Sequence, residues 1–265
     1  MQKKTNEQEN ARNIDPCFFV LSTGRCGTKT LSILLSKSSE AMVWHEPRPT
    51  LFKFARQAYS GAFNTGRLFR VLTTCRLPLI DQACQMGVGY GETGNHVTFY
   101  AHALAKWLPN AKFIHLIRNP KGVIRSGMRR GWYKHMTKYD RTRIRPNEGT
   151  KADKLWKSWD QFERIAWLWK ATNEYCREFF LQYPTRCIQV RAEDIFNNNP
   201  TVWPWLYDFI GLKMPDKSVI EQVLSQKINK QTTKSFPPPE EWPTELMGKM
   251  YKIAWTEMLN CGYDY

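Results

Sequence analysis

The sequence predicts an α/β fold with a central parallel sheet flanked by helices. Short apolar segments, of which residues 112–117 are the clearest, have the length and composition of buried strands. Segments with apolar residues three and four positions apart lie between them and are typical of amphipathic helices. This alternation favours parallel strands joined by helices, with ligands bound beyond the carboxyl ends of the strands.

Residues 18–21 form the first predicted strand, which ends in a short polar loop that leads directly into a helical pattern. Such a junction directs backbone N–H groups and the positive end of a helix dipole toward one place, which favours phosphate or sulfate. Gly24 and Gly27 allow the backbone to approach an anion closely. The residues that add charge or hydroxyl donors are Arg25, Thr28, Lys29 and Thr30. We interpret residues 22–30 as an anion-binding loop.

This loop is related in shape to the P-loop of nucleotide hydrolases and kinases but does not match its sequence. The P-loop motif is G-x-x-x-x-G-K-[ST]. Here Thr28 separates Gly27 from Lys29, and no glycine stands five residues before Gly27. The alternative interpretation is a strand-to-helix turn in which glycine and threonine serve only as caps.

A second short strand is predicted at residues 41–44, and prolines end it within the segment His45-Glu46-Pro47-Arg48-Pro49. Three elements are predicted before the next strand: an amphipathic helical region at 51–86 interrupted near Gly61 and Gly66, a glycine-rich loop at 87–95 that carries Glu92, and a helix at 101–107.

The strand at residues 112–117 ends at Arg118-Asn119-Pro120 and gives way to a helix. Proline at a helix start loses no needed hydrogen bond. Arg118 can donate a forked pair of bonds to a phosphate, and Ser126, about two turns into the helix, can add a hydroxyl. Two anion sites at one edge of the sheet suit a nucleotide that is phosphorylated at both ends.

The C-terminal half is predicted to contain one long helix at 152–183, a fourth strand at 187–190, and a terminal helix after a proline-rich segment at 236–243. The tryptophan stripe of the long helix has helical spacing, and we interpret it as core. The residues that follow strands are expected to converge on one edge with the anion-binding loop; they are His45, Glu46, Arg118 and Arg191.

A chain of 265 residues, 42% of them apolar, is long enough for one large α/β domain. We predict a single domain over residues 1–265, with 1–15 as a mobile polar lead-in. No apolar stretch approaches the length of a membrane-spanning helix, and the N-terminus lacks the apolar centre of a secretory signal.

The seven cysteines are scattered and have no C-x-x-C spacing, which argues against a disulfide framework and a zinc site. We therefore expect a reducing cytoplasm and no metal. Cys26, beside Arg25, is a candidate nucleophile, but no base lies at motif spacing. We favour a small side chain that faces the end of the strand.

The formal net charge of +15 indicates an anionic partner, and nucleic acid, a membrane surface and a polyanionic small molecule all qualify. Basic residues are densest at 118–145, where a solvated helix face is the simpler explanation for the outer ones. A phosphorylated ligand accounts for only a handful of these charges.

Two segments resemble the two signatures of sulfotransferases that use 3′-phosphoadenosine 5′-phosphosulfate (PAPS) as donor: STGRCGTKT at residues 22–30 and IRNPKGVIRS at residues 117–126. The resemblance implies one α/β domain related to nucleotide kinases. It also implies that the first segment binds the 5′-phosphosulfate and the second the 3′-phosphate. The residues so implied are Arg25, Cys26, Gly27, Thr28, Lys29 and Thr30 for the sulfonate end, and Arg118 and Ser126 for the 3′-phosphate.

A third segment, residues 191–212, is also similar to sulfotransferases and extends the resemblance over 18–212. Within it, Ala192 stands where the family usually has an aromatic residue that contacts adenine. Residues 227–234 fall where many members close a basic loop over the nucleotide.

Sulfonate transfer to a hydroxyl requires a held donor, charge stabilisation on the bridging oxygen, and a base for the acceptor proton. Arg25 stands where the family has a Lys or Arg that neutralises the leaving phosphate, and we assign it an electrostatic role only. The candidates for the base are Glu46, His45, His96 and Glu92. Glu46 precedes a proline, as in some bacterial and carbohydrate sulfotransferases, and His96 lies where cytosolic members place a catalytic histidine. For each candidate, a local salt bridge or cap is the alternative interpretation.

The resemblance implies a PAPS-dependent enzyme that sulfates a hydroxyl or amine of a small-molecule acceptor, with neither nucleic acid nor a membrane as partner; a peptide tyrosine is the other acceptor considered. Residues 51–94 and 131–149 are expected to shape the acceptor pocket.

Two other functions stay open. A kinase-like phosphotransferase would need a complete P-loop and an acidic magnesium ligand. A non-enzymatic binder of nucleic acid or an anionic surface would show salt-sensitive binding.

Overall fold

A computed structural model describes residues 14–134, 137–226 and 236–264 of the chain. Five strands form one sheet in the order β2-β3-β1-β4-β5. Their bounds are β1 Cys17–Leu21, β2 Ala41–His45, β3 Gly89–Thr93, β4 Lys112–Ile117 and β5 Cys187–Arg191. Every pairing in the sheet is parallel, and helices flank it, so the predicted α/β fold is confirmed.

The helices of the described residues are α1 Thr28–Leu35, α2 Ala55–Tyr59, α3 Thr65–Gln85, α4 Ala101–Trp107, α5 Pro120–Arg129, α6 Lys138–Thr142, α7 Lys151–Trp156, α8 Gln161–Gln182, α9 Ala192–Phe196, α10 Val202–Ile210, α11 Lys217–Ser225 and α12 Thr244–Asn260. Short 3₁₀ turns lie at Leu51–Phe54, Thr98–Tyr100, Pro184–Arg186 and Pro239–Glu241. None of the helices described is long and apolar enough to cross a membrane.

The hydrophobic core lies on both faces of the sheet because successive strand residues point to opposite sides. Phe18 and Val20 of β1 belong to a cluster that includes residues of α1, α5, α10 and α12. Phe19 and Leu21 belong to a second cluster with α3 and α4. Helix α8 contributes to both clusters, and its Trp169 is fully buried, as expected for a core stripe. The central strand is therefore covered on both faces, so a ligand would have to approach it at a strand end.

The glycine-rich segment expected as a loop is strand β3, so that prediction is wrong. Gly91 pairs with Phe18 of β1, and a Cβ atom on Gly91 would lie 2.2 Å from the Phe18 ring. Glycine is needed here because a neighbouring aromatic ring fills the space of its side chain. The strand signal was lost because β-propensity scales count glycine as a breaker.

The prediction of one long helix at 152–183 is also wrong, because the structure has two helices there, α7 and α8. Asp160 caps α8: its Oδ1 accepts from the Glu163 N–H at 2.9 Å, and the Glu163 side chain accepts from the Asp160 N–H at 2.9 Å. This reciprocal pair is a capping box. The predicted interruption is present at Gly61, between α2 and α3, but the interruption predicted at Gly66 is wrong, because Asn64 caps α3 and Gly66 lies in its first turn.

Two predicted segments lie outside the described residues: positions 1–13 of the polar lead-in and the basic loop at 227–234. Within the described ranges no group of His, Cys, Asp and Glu side chains has the arrangement of a metal site.

Candidate active site

The loops that follow β1, β2, β3 and β4 meet at the carboxyl edge of the sheet. In the sheet, β2 and β3 lie on one side of β1, and β4 and β5 lie on the other. The chain fills the first side and then crosses from β3 to β4, so the direction of the connections reverses at β1. Such a reversal opens a crevice for ligands beyond the strand ends. A cavity of about 700 Å³ lies there. The predicted site residues that line it are Arg25, Gly27, Thr28, Lys29, Thr30, His45, Glu46, His96 and Arg118.

The anion-binding loop has the left-handed backbone that such a loop requires. Gly24, Arg25 and Gly27 have φ values of 82°, 62° and 90°. The Thr98 hydroxyl holds the start of the loop by accepting from the Ser22 N–H and donating to the Ser22 carbonyl, each at 3.0 Å. Helix α1 begins at Thr28 without a side-chain cap. A left-handed turn before an uncapped helix start forms a concave nest of N–H groups suited to an anion.

The two predicted anion sites are in direct contact. The Nε of Arg25 donates to the Ser126 Oγ at 2.9 Å, and Nη1 of Arg118 donates to the Arg25 carbonyl at 2.9 Å. Gly122 leaves room for the Arg118 side chain, because a Cβ there would lie 2.8 Å from Arg118 Nε. The Ser126 oxygen accepts from Arg25, so its O–H is left to donate to a phosphate while the contact with Arg25 is kept.

The positive charges of the site are crowded. Burial, with the nearby charges of Arg130 and Arg118, lowers the pKa of Arg25 to about 10. The guanidinium is still charged at neutral pH. A half-buried cluster of like charges is unfavourable unless an anion balances it, so this end of the cavity is suited to a polyanionic ligand.

Glu46 lies at the edge of the cavity in a left-handed turn with φ 49°. Its N–H donates to the Thr93 carbonyl at 3.0 Å, which ties the turn to the end of β3. Burial raises the pKa of its carboxyl, and the charge of Arg25 opposes that rise. Gly94 permits this close packing, since a Cβ at that position would lie 2.7 Å from Glu46 Cγ.

Both histidines of the site are neutral at pH 7. His45 Nδ1 lies 3.0 Å from the Thr93 hydroxyl, and burial, with the charge of Lys29, lowers its pKa. Burial lowers the pKa of His96 to about 4. The ring of His96 packs on Phe52 at 4.8 Å between centroids, and its Nε2 lies 3.8 Å from Glu46 Oε1. His96 is thus a weaker base than a free histidine and sits next to the carboxylate.

Glu92 is not available as a base. Its side chain is 1% exposed and accepts two bonds from Arg76, at 2.6 and 2.8 Å, and a third from the Tyr90 hydroxyl at 3.0 Å. The same Arg76 donates to the Pro49 carbonyl at 2.7 Å. Glu92 belongs to a buried ion pair that fixes the segment after β2. This agrees with the alternative interpretation of Glu92 as a residue in a local salt bridge.

Two of the side chains singled out in the sequence do not line the cavity. Cys26 Sγ is buried beside the Thr23 hydroxyl at 3.3 Å and does not line the cavity. Burial raises its pKa to about 11, so it is a thiol at neutral pH. Arg191 does not reach the cavity either: it is the last residue of edge strand β5, stacks on Tyr263 at 4.5 Å and donates to the Gly262 carbonyl.

The cavity also has walls that the sequence did not reveal. These residues are Phe52, Asn95, Arg130, Trp132, Thr137, Tyr139, Asp140, Arg143 and Phe196. Most of them fall within the segments expected to shape the acceptor pocket, but no local motif marks them individually. Asp140 is positioned by the Tyr133 N–H at 3.1 Å and by Arg143 at 3.3 Å. It therefore organises the loop between α5 and α6 and is not free to act on a ligand.

A family model described as the sulfotransferase family matches residues 70–216, which is just over half of the 265 residues. The matched segment contains Arg118 and Ser126 and begins after the anion-binding loop. No curated protein is similar enough in sequence to count as a match.

Solved structures of sulfotransferases share the fold. The sulfotransferase domain from the curacin biosynthetic pathway is 17% identical, with a TM-score of 0.54 and coverage of 96% of this chain and 99% of that one. A sulfotransferase from Alicyclobacillus acidocaldarius is 17% identical, with a TM-score of 0.52 and coverage of 96% and 98%. Sulfotransferase STF9 from Mycobacterium avium is 10% identical, with a TM-score of 0.56 and coverage of 96% and 78%. At these identities the likeness concerns the fold.

Proposed function

Because this chain belongs to the sulfotransferase family, we propose that it transfers a sulfonate group from PAPS to a hydroxyl or amino group of a small-molecule acceptor. The observation that carries the proposal is the meeting of Arg25, Arg118 and Ser126 in one network beside Glu46. This places cationic donors and a carboxylate around the same cavity. The proposed reaction needs both kinds of group. A donor with phosphate at both ends binds to cations, and an acceptor that must lose a proton needs a base.

The residues present fit the donor. The concave N–H nest at Gly24–Gly27 and the uncapped start of α1 suit the 5′-phosphosulfate. Arg118 and Ser126 suit the 3′-phosphate. The volume of about 700 Å³ is within the range of small-molecule sites. When bound, the donor supplies an activated sulfonate and a bisphosphate leaving group.

The residues of this chain have separate roles in the proposed reaction. Arg25 provides fixed positive charge where negative charge develops on the leaving oxygen. Glu46 accepts the proton of the acceptor hydroxyl, and its raised pKa makes it a better base than an exposed glutamate. His96, 3.8 Å from Glu46, is the second candidate. Phe52, Trp132 and Tyr139 form an aromatic wall that supports a small organic acceptor.

Glu46→Gln tests the assignment of the base. We expect turnover to fall about 100-fold or more, since general bases contribute about 10²–10⁴-fold, with donor affinity unchanged within about twofold. Turnover with a labelled donor and calorimetric donor binding are the two measurements. Glu221→Gln, on α11 away from the cavity, is the matched control. Unchanged turnover in the Glu46 variant would remove Glu46 from this role and leave His96 or His45.

Ligand-dependent thermal stability separates the proposal from its alternatives. Adenosine 3′,5′-bisphosphate at about 100 times its Kd is expected to stabilise the protein by about 2.7 kcal/mol. ATP with magnesium is expected to do much less. A larger shift with ATP and magnesium would favour the kinase-like phosphotransferase. Salt-sensitive binding of DNA or RNA without a bisphosphate response would favour the nucleic-acid binder.

A further inference from the structure

We propose that Arg130 binds an anionic group of the acceptor, so that the acceptor is an aromatic compound with an acidic substituent. The proposal rests on the proposed function, because it concerns the molecule that receives the sulfonate group. It names the chemical class of that acceptor, which the sequence motifs do not define. The part of the cavity concerned runs from Arg25 to the aromatic wall of Phe52, Trp132 and Tyr139.

Arg130 lies between the proposed reaction centre and the aromatic wall. Its N–H donates to the Ser126 carbonyl at 3.2 Å, which places it one helical turn beyond Ser126 on the same side of α5. Ser126 in turn accepts from Arg25. Among the cations that lower the pKa of Arg25, Arg130 has a larger effect than Arg118. Arg130 is therefore close to the proposed sulfonate end of the cavity, which it lines together with Trp132.

The turn after α5 holds Arg130 and Trp132 in a fixed relation. Gly131 has a φ of 65°, and the Trp132 N–H donates to the Gly127 carbonyl at 3.1 Å. This is the hydrogen bond of a Schellman motif at a helix end. The Trp132 ring packs over Gly127, where a Cβ atom would lie 2.8 Å from the ring. The cation and the aromatic side chain are thus presented to the cavity by one rigid turn.

Arg130 is a cation without an acidic partner among the described residues. Within those ranges its guanidinium takes part in no ion pair and no hydrogen bond. Partial burial and the charge of Arg129 both lower its pKa. Both effects disfavour the charged form, and an anion beside the guanidinium would oppose them. The side chain remains exposed and lines the cavity, so a ligand can reach it.

The other cations of the cavity already have a proposed role or a partner. Arg143 pairs with Asp140 at 3.3 Å, and its guanidinium lies 4.2 Å from the centre of the Trp132 ring. The three cations proposed for the donor are Arg25, Lys29 and Arg118. Among the described cavity residues, Arg130 is thus the cation left for an anion other than the donor.

The position of the acceptor follows from the proposed reaction. Its hydroxyl must lie near Glu46, and its body is expected to lie against the aromatic wall. The rings of Phe52 and Tyr139 are 5.6 Å apart in this wall. Arg130 adjoins the wall through the turn after α5, so an acidic substituent of the same acceptor is expected to meet it. A guanidinium can donate a forked pair of hydrogen bonds to a carboxylate.

The test compares two acceptor probes that are similar in size and differ in charge, para-hydroxyphenylpropionate and its amide. Calorimetry measures their binding to wild type, Arg130→Gln and Arg130→Lys, with and without saturating adenosine 3′,5′-bisphosphate. The binding of the bisphosphate alone is measured for each variant. Arg70→Gln, at an exposed position on α3 away from the cavity, is the matched control. Circular dichroism of each variant confirms that the fold is retained.

Wild type is expected to bind the acid more tightly than the amide. Arg130→Gln should weaken the acid about tenfold, as for one charge-assisted hydrogen bond at a partly exposed site, and the amide by less than about twofold. Arg130→Lys keeps the charge without the fork and should lose less than Arg130→Gln. Arg70→Gln should change neither probe. Bisphosphate affinity should stay within about threefold in every variant, since Arg130 would act on the donor only through screened charge.

Two results would overturn the assignment. One is a wild-type protein that does not prefer the acid, or a preference that Arg130→Gln leaves unchanged. The other is a loss of bisphosphate affinity in Arg130→Gln that exceeds the loss of the acid, which would assign Arg130 to the donor. Failure of the proposed donor gives a different pattern. In that case wild type does not bind the bisphosphate, while the protein alone still binds the acid in a manner that depends on Arg130.

Discussion

At the scale of single residues, the environment of Glu46 sets the pH range of its proposed role as a base. Burial raises its pKa, whereas the neighbouring charge of Arg25 lowers it. The carboxyl accepts a proton only while it is ionised. Turnover is therefore expected to fall as the pH is lowered through the pKa of Glu46, which gives the pH profile an acid limb.

Arg25→Met tests this coupling through the position of the acid limb. Loss of the cation removes the effect that lowers the Glu46 pKa, so the limb should move to higher pH, in addition to a loss of turnover. The measurement is kcat/KM as a function of pH. Arg48→Met removes an exposed charge from the same segment and should leave the limb in place. A limb that stays fixed or moves to lower pH in Arg25→Met would contradict the coupling.

At the scale of secondary-structure elements, the site depends on contacts that fix the segment after β2. Arg76 of α3 and Glu92 of β3 form a buried bidentate pair, and Arg76 also holds the Pro49 carbonyl. A buried ion pair contributes little net stability by itself, but removal of one partner leaves a buried charge unpaired. The pair therefore makes the structure intolerant of change close to Glu46.

Glu92→Ala is expected to lower the free energy of unfolding by about 3–5 kcal/mol because Arg76 is left buried without its partner. The double variant Arg76→Met, Glu92→Leu should recover much of this loss. Urea unfolding measures both. The exposed Lys217–Glu221 pair offers the control, since Lys217→Met should cost less than about 1 kcal/mol. A Glu92→Ala cost as small as that control would show that Arg76 finds other partners.

The second predicted anion site, at Arg118, is held by a comparable set of contacts. Glu193, after β5, accepts from the Asn119 N–H at 2.9 Å and from the Tyr263 hydroxyl at 2.8 Å. Trp169 of α8 donates to the Arg118 carbonyl at 2.8 Å. Arg118 is therefore positioned by β4, α8 and the residues after α12 together. This explains why a residue at the end of one strand depends on distant parts of the chain.

At the scale of the whole molecule, buried neutral histidines link stability to pH. His115 of β4 is 1% exposed, and its Nε2 lies 2.8 Å from Asn173 Oδ1. Burial lowers its pKa to about 4. Since the unfolded value is near 6.5, the unfolded state binds the proton first. The contribution of neutral His115 to the free energy of unfolding is complete above about pH 6.5 and is lost as the pH falls toward 4.

Urea unfolding at several pH values checks this expectation. Between pH 7 and pH 4 the free energy of unfolding should fall by an amount on the order of 3 kcal/mol from His115 alone. His115→Gln, which keeps a polar group near Asn173, should be less stable at pH 7 but show a shallower decline. An identical decline in the variant would assign the acid sensitivity to other groups.

Much of the fold and part of the site were predictable from local sequence. The apolar strands β1 and β4, the loop at 22–30 and the Arg118 turn are encoded by neighbouring residues. Strand β3 was missed because the reason for its Gly91 lies on another strand: the Phe18 ring of β1 fills the space that a side chain at 91 would need. The two-helix structure at 151–182 was missed although the D-x-x-E capping box at Asp160 was readable. The single domain over 1–265 and the roles of the site residues stay predictions.

The sequence by itself determined the kinds of chemical group and the strands that present them: an anion-binding loop, a second basic turn, and a carboxylate after a short strand. Only the tertiary structure decided which of them lie together. Arg25 and Ser126 are 101 positions apart and form one hydrogen bond. Glu92 proved to be buried, and Phe196 proved to be exposed above Gly27. Local motifs specify backbone shape and side-chain chemistry, whereas burial and contact arise from packing between segments that are remote in the chain.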